Sequence, residues 1–256
     1  MDQVYLALST AAALFVGMLF CLEVGRRIGI AFLQHDPAAN QGVSAIEGAV
    51  FGLLGLLIAF TFSGAASRFE DRRHLIGQEA NCIGTAYLRL DLVPQDRQPE
   101  LRDLMRRYLK LRTDTYRSPV SQWGPKLTEA GRLQGEIWDK AVRASHEPGV
   151  PSQTAMLLLP ALNDMIDITT TRQVATQNHP PRIVFIMLCG LSLAGALLAG
   201  YGMACGKRRS LLHVVCFSAI ISLTVYVILD LEFPRAGLIR IDSADQVMLD
   251  LANSMK

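Results

Sequence analysis

Residues 44–73 read SAIEGAVFGLLGLLIAFTFSGAASRFEDRR. From Gly48 to Ser67 no side chain ionises, and twenty residues at about 1.5 Å each cover roughly 30 Å, the thickness of a bilayer's hydrocarbon core. The stretch therefore reads as a helix that crosses a membrane and leaves it at Arg68. Its faces differ. Gly48, Gly52, Gly55, Ala59, Ser63 and Ala66 recur in steps of three and four, so at about 100° per residue they form one narrow ridge without bulky side chains. In lipid such a ridge lets another helix backbone approach closely. Beside it, Gly52, Leu56, Phe60, Ser63 and Ser67 make a second line, bulky and apolar in the middle. Copies of that line around an axis would form a constriction that gates by dewetting, while in a lone helix Leu56 and Phe60 would face lipid or packing partners.

Working outward, Val4 to Leu22 reads as a first span closed by Glu23, Arg26 and Arg27, followed by a polar stretch with His35, Asp36 and Pro37. Ser44 and Glu47 have the spacing of a capping box at the start of the second helix. Past Ser67 the apolar period continues through Phe69, Leu75, Ile76, Ile83, Tyr87, Leu88 and Leu90, so the helix should extend well beyond the bilayer before Pro94 and Pro99 end it. Three more helices follow. One, from Pro99, ends at Pro119 and Pro125; the others are Lys126 to Ser145 and Ser152 to Gln177, the last with an internal Pro160 expected to kink it. Ile183 to Gly206 and Leu211 to Leu229 read as the third and fourth spans, joined through Lys207, Arg208 and Arg209.

The expected fold is all-α: a four-span integral membrane protein with a helical extramembrane domain between spans two and three. The boundaries fall at 1–67 for the first two membrane helices, 68–182 for the polar helical domain that continues from the second, and 183–256 for the last two spans and a short tail. Four spans place both termini and the polar domain on one side. The positive-inside rule does not choose that side, because arginines flank both ends of the spans.

Of 256 residues, half are hydrophobic and 19% charged, with a formal net charge of +2. No basic cluster is interleaved with aromatics, which argues against nucleic acid. Cys21, Cys82, Cys189, Cys205 and Cys216 are scattered without metal-site spacing. No HExxH, GxSxG or Gly-rich phosphate loop occurs, so no enzyme, metal or cofactor is expected. Charge does converge at one place. Asp230 and Glu232 end the fourth span on the side where Arg68, Arg72 and Arg73 leave the second, which predicts an ion-pair cluster there. Such a cluster either fixes helix packing or biases ions at a pore mouth.

EGAVFGLLGLLIAFTFSGAASRFEDRRHLIGQEANCIGTAYLRLDLVP, followed much later by LDLEFPRAGLI, resembles the bestrophin-like family of bacterial membrane proteins. The likeness covers nearly the whole layout of two spans, a helical middle, two spans and a tail. Through distant similarity to bestrophins it implies a pentameric anion channel in the inner membrane, with the polar domain cytoplasmic and the second helix lining the pore. Leu56 and Phe60, followed by Arg68 and Phe69, are similar to the bestrophin neck and its basic, aromatic exit. Gly52 stands where a third bulky neck residue is expected. The acidic run that binds calcium in animal bestrophins has no counterpart after LDLEFPRAG. Two readings remain. One is a homo-oligomeric channel for small anions; the other is a non-conducting scaffold or sensor whose helical domain binds a protein and whose glycine ridge is buried against its own first or fourth span.

Overall fold

The computed structural model describes residues 2–33, 43–118, 120–205, 211–235 and 237–255. Expectations for His35, Asp36, Pro37, Pro119, Lys207, Arg208 and Arg209 lie outside these residues. Among the described residues the regular structure is helical throughout: α1 (Asp2–Leu33), α2 (Val43–Arg89), α3 (Gln98–Arg117), α4 (Trp123–Ser145), α5 (Ser152–Gln177), α6 (Arg182–Gly202), α7 (Leu211–Glu232) and α8 (Asp242–Ser254). Four helical segments among these residues are long and apolar enough to cross a membrane.

The chain divides into two compact units, one of Met1–Phe69 with His179–Arg240 and the other of Glu70–Asn178 with Ile241–Lys256. The first unit is built from α1, the apolar part of α2, α6 and α7. Its core joins Met18 and Leu22 of α1, Leu54 and Ala65 of α2, Leu188 and Ala196 of α6, and Val225 and Ile228 of α7. Apolar side chains gain little by leaving lipid for one another, so close packing must hold these helices together. It does so between α1 and α6. A Cβ added at Gly25 would collide with the Leu197 carbonyl, one at Gly200 with the Leu22 carbonyl, and one at Gly29 would come 2.8 Å from the Tyr201 carbonyl oxygen. By contrast, α2 meets its neighbours through long side chains, including an edge-to-face pair of Phe51 and Phe217 with centroids 5.7 Å apart.

The second unit folds as a water-soluble core would, around Ile76, Ile83, Leu90, Leu101, Met105, Tyr108, Leu109, Ile137, Leu158 and Met165. Ends and breaks follow the local chemistry. α2 gives way to a 3-10 turn at Leu90–Leu92, and Val93, constrained by Pro94, is extended. Pro125, expected to close α3, instead sits in the first turn of α4, where its missing N–H is not needed. Helix α5 continues through Pro160. The tail helix α8 belongs to this unit, with Met248 buried and the end of Leu251 3.3 Å from where a Cβ at Gly84 would stand.

One detail differs from the sequence reading. Because α2 begins at Val43, Ser44 lies inside its first turn and not at the cap. Glu47 lies instead beside the end of α6, where a Cβ at Gly202 would stand 2.9 Å from its Oε1. Arg27 pairs with Glu23, one turn earlier on its own helix, at 2.9 Å.

Candidate functional site

Among the described residues, nothing covers the α2 face singled out in the sequence. Gly52, Leu56, Phe60, Ser63 and Ser67 are all exposed, Phe60 by 69%. Gly48, Gly55 and Ala59 of the neighbouring ridge are exposed too, while Ala66 is half-buried against the membrane core. A Cβ placed at Gly48, Gly52 or Gly55 would meet nothing within 4 Å. The close backbone approaches of this chain are made by the glycines of α1 and α6, and the α2 ridge is left open.

The charged exit resolves into separate arrangements. Arg68 reaches from α2 to the last turn of α7, where its Nε donates to Glu232 Oε1 at 3.0 Å and its Nη2 bonds the same carboxylate. Glu232 is almost wholly buried, and its other oxygen lies 3.2 Å from His179 Nδ1, whose ring is tilted against Phe233. Arg72 donates to the carbonyls of Ala175 and Asn178 at 3.1 and 3.0 Å, which ties α2 to the end of α5. Arg73 pairs with Glu70 one turn back at 2.9 Å. Asp230, expected opposite an arginine, accepts the backbone N–H groups of Leu238 and Ile239 at 3.2 and 2.8 Å, because the chain turns back after α7 and aims its amides at the carboxylate. Gly237 makes that turn so tightly that any Cβ would collide with Asp230.

Deep in the second unit lies a charged group that the sequence reading passed over. Glu79 of α2 receives Arg112 Nε of α3 at 2.6 Å on one oxygen and Arg172 of α5 on the other. The three side chains are 0%, 2% and 5% exposed. Tyr116 packs against both guanidinium groups, with ring centroid distances of 5.0 Å to Arg112 and 4.1 Å to Arg172, and also receives a hydrogen bond from Arg112. Burial pushes the Glu79 carboxyl up, but the two guanidinium groups more than reverse this and hold it below the ordinary carboxylate range. Burial penalises the Arg112 charge as well, and Glu79 overrides that penalty so that the guanidinium is held more firmly in its charged form. Tyr108, beside this group, has its phenol pushed up by burial, and its oxygen accepts a hydrogen bond from Gln134 Nε2 at 3.0 Å. The arrangement joins three helices through one carboxylate.

Among the described residues no group of three or more His, Cys, Asp or Glu could hold a metal ion. Cys21, Cys82, Cys189 and Cys216 are free thiols.

The family profile of the Bestrophin-like domain matches residues 11–245. This chain belongs to the bestrophin-like family. Solved structures share the fold of this bestrophin-like chain. A crystal structure of a bacterial bestrophin homologue from Klebsiella pneumoniae, carrying a point substitution, matches with a TM-score of 0.66 at 15% identity, over 93% of this chain and 97% of that one. A second substituted form of a Klebsiella pneumoniae homologue gives 0.64 at 14% identity, over 92% and 98%. At such identities the likeness concerns the bestrophin-like fold. No curated protein matches the sequence.

Proposed function

We propose that this bestrophin-like protein is a homo-oligomeric ion channel in which copies of α2 surround a pore, with Leu56 and Phe60 as an apolar neck between Gly52 and the hydroxyls of Ser63 and Ser67. The observation that carries the reading is the uncovered α2 face. Each glycine in a helix costs about 1 kcal/mol relative to alanine, and Gly48, Gly52 and Gly55 recover nothing from their own chain because no atom approaches them. Close approach of another copy would offset that cost; lipid would not. Membership of the family and the shared fold support the same reading, and the resemblance implies five copies, small anions as permeant ions, an inner-membrane location and a cytoplasmic polar domain. Arg68 and Arg73 already hold carboxylates, which weakens their field at the mouth. Ion discrimination therefore falls mainly to the neck, where an ion must shed water to pass.

The test is anion flux from proteoliposomes of the purified protein, with its oligomeric mass measured in the detergent used for reconstitution. Flux from a symmetric oligomer supports the channel. No flux from a monomer or dimer refutes it and favours the non-conducting scaffold.

A further inference from the structure

The exposed line on α2 does not stop at the charged exit. Leu53, Phe60, Ser67, His74, Asn81 and Leu88 follow one another in steps of seven, and every one of them is exposed. Seven residues turn a helix about 20° short of two full turns, so a seven-residue repeat keeps facing one axis only where copies wind gently around it. α2 is a single helix from Val43 to Arg89. Copies that bring Phe60 to an axis would therefore bring His74 toward it about 20 Å further along, and Asn81 about 30 Å.

The line is apolar through Leu53 and Phe60 and polar at Ser67, His74 and Asn81. His74 is the one titratable side chain among these six. Its Nε2 lies 2.9 Å from Gln78 Nε2, one turn on. That contact is a hydrogen bond while Nε2 is unprotonated and accepts from the amide; once both ring nitrogens carry protons, the amide turns its oxygen to the ring. The imidazole can thus change charge in place. Around it, Glu70, one turn back, pairs with Arg73, and Asp71 stands exposed three residues back. Against this part of α2 lies α5. Its Arg172 is turned inward onto Glu79, its Asp167 accepts from Asn163 on its own helix, and Arg72 is spent on the carbonyls of Ala175 and Asn178. As classes, carboxylates and guanidinium groups keep their charge near neutral pH, whereas imidazole ordinarily changes its own between about pH 5 and 8.

We propose that His74 is a selectivity-setting residue of the pore: a ring of imidazoles, one from each copy, faces the permeating ion beyond the neck, and its protonation shifts passage toward anions. The inference rests on the channel reading and adds a charge-based preference to the dehydration at the neck. Each proton adds one positive charge whatever the fixed charge around it. The direction of the shift is therefore the same whether chloride or a cation carries most of the current.

The test measures the chloride-to-potassium permeability ratio from reversal potentials, with the full chain in bilayers of uncharged net lipid. From about pH 8 to about pH 5.5 the ratio should rise about fivefold, the scale of several unit charges about one Debye length from the ion. His74→Gln should hold the ratio near its alkaline value at both pH values, and His74→Lys should hold it near the acid value. A conducting wild type whose ratio ignores pH overturns this inference and leaves the channel reading standing. A pH response that survives either substitution also overturns it, since another group would then be titrating. A protein that passes no ions at any pH removes the channel reading and this inference with it.

Discussion

Replacing Glu79 with glutamine keeps the shape of the side chain and removes its charge. Arg112 and Arg172 would then face each other across a neutral amide, both at least 95% buried. Removing one partner of a buried ion pair costs about 3–5 kcal/mol, because the remaining charge is stranded where water cannot reach it. Here one carboxylate serves two guanidinium groups, so the upper half of that range is expected. Against a total domain stability of about 5–15 kcal/mol, such a loss is severe. The sequence contains two tryptophans, Trp123 and Trp138, and both belong to the second unit. Trp123 also lies edge-on to Tyr116, with centroids 5.3 Å apart, so intrinsic fluorescence reports on this unit. With a urea slope of about 2 kcal/mol per molar, Glu79→Gln should lower the unfolding midpoint of the full chain in detergent by about 2 M. The triple variant Glu79→Leu, Arg112→Met, Arg172→Met should recover most of the loss, since apolar residues of similar volume avoid the desolvation cost. A Glu79→Gln curve that overlays the wild type would refute the reasoning.

The same carboxylate gives a pH dependence. Its folded-state pKa is lowered, so its stabilisation is complete above about pH 5, past the unfolded glutamate's range, and drains away as the pH falls through the lowered folded value; the urea midpoints of wild type and Glu79→Gln should converge on acidification, and a constant gap would count against the assignment. Phe60→Ala should raise flux in proteoliposomes several-fold by widening and wetting the proposed neck, and unchanged flux in a conducting protein would remove Phe60 from that role. Asp230→Ala should cost about 2–4 kcal/mol by stranding the Leu238 and Ile239 amides, read as a lower melting temperature in detergent; wild-type melting would show that the turn is held by other contacts. Gly200→Val should push α1 from α6 and cost at least about 1–3 kcal/mol, whereas Gly190→Ala, which meets open space, should melt at or slightly above the wild type.

The four spans and the long second helix were legible because an uncharged run of membrane length and an unbroken 3.6-residue period are strong, local signals. The exit cluster was legible only in part. The alternation of the spans suggested a cluster of Arg68, Arg72, Arg73, Asp230 and Glu232 without assigning partners; it could not reveal that Arg68 would take Glu232 or that Asp230 would turn to its own backbone, because the latter depends on how the chain reverses through Gly237. The Glu79 group left a trace that the reading missed. Glu79 falls three residues after Ile76 and four before Ile83, Arg112 falls four after Tyr108, and Arg172 falls seven after Met165, so each charge occupies a core register of its helix. A charge in such a register calls for a partner, and three in one domain could have been matched. The place of α8 in the second unit had no such trace, since a short amphipathic tail carries no address in its own sequence.

The glycine contact between α1 and α6 also sets an order of manufacture. Leu22 and Gly200 are separated by roughly 180 residues, and at about 5–20 residues per second a ribosome needs on the order of ten to thirty seconds to travel from one to the other. Throughout that interval the groove along α1 has no mate. Lipid or the insertion machinery must occupy it while residues 70–178 of the second unit are being made, and α6 must later displace that occupant. Closure of α1 on α6 thus waits until α2 to α5 have been made, and glycine substitutions at the contact should reveal themselves as slow maturation in the cell before they appear as a lowered melting point.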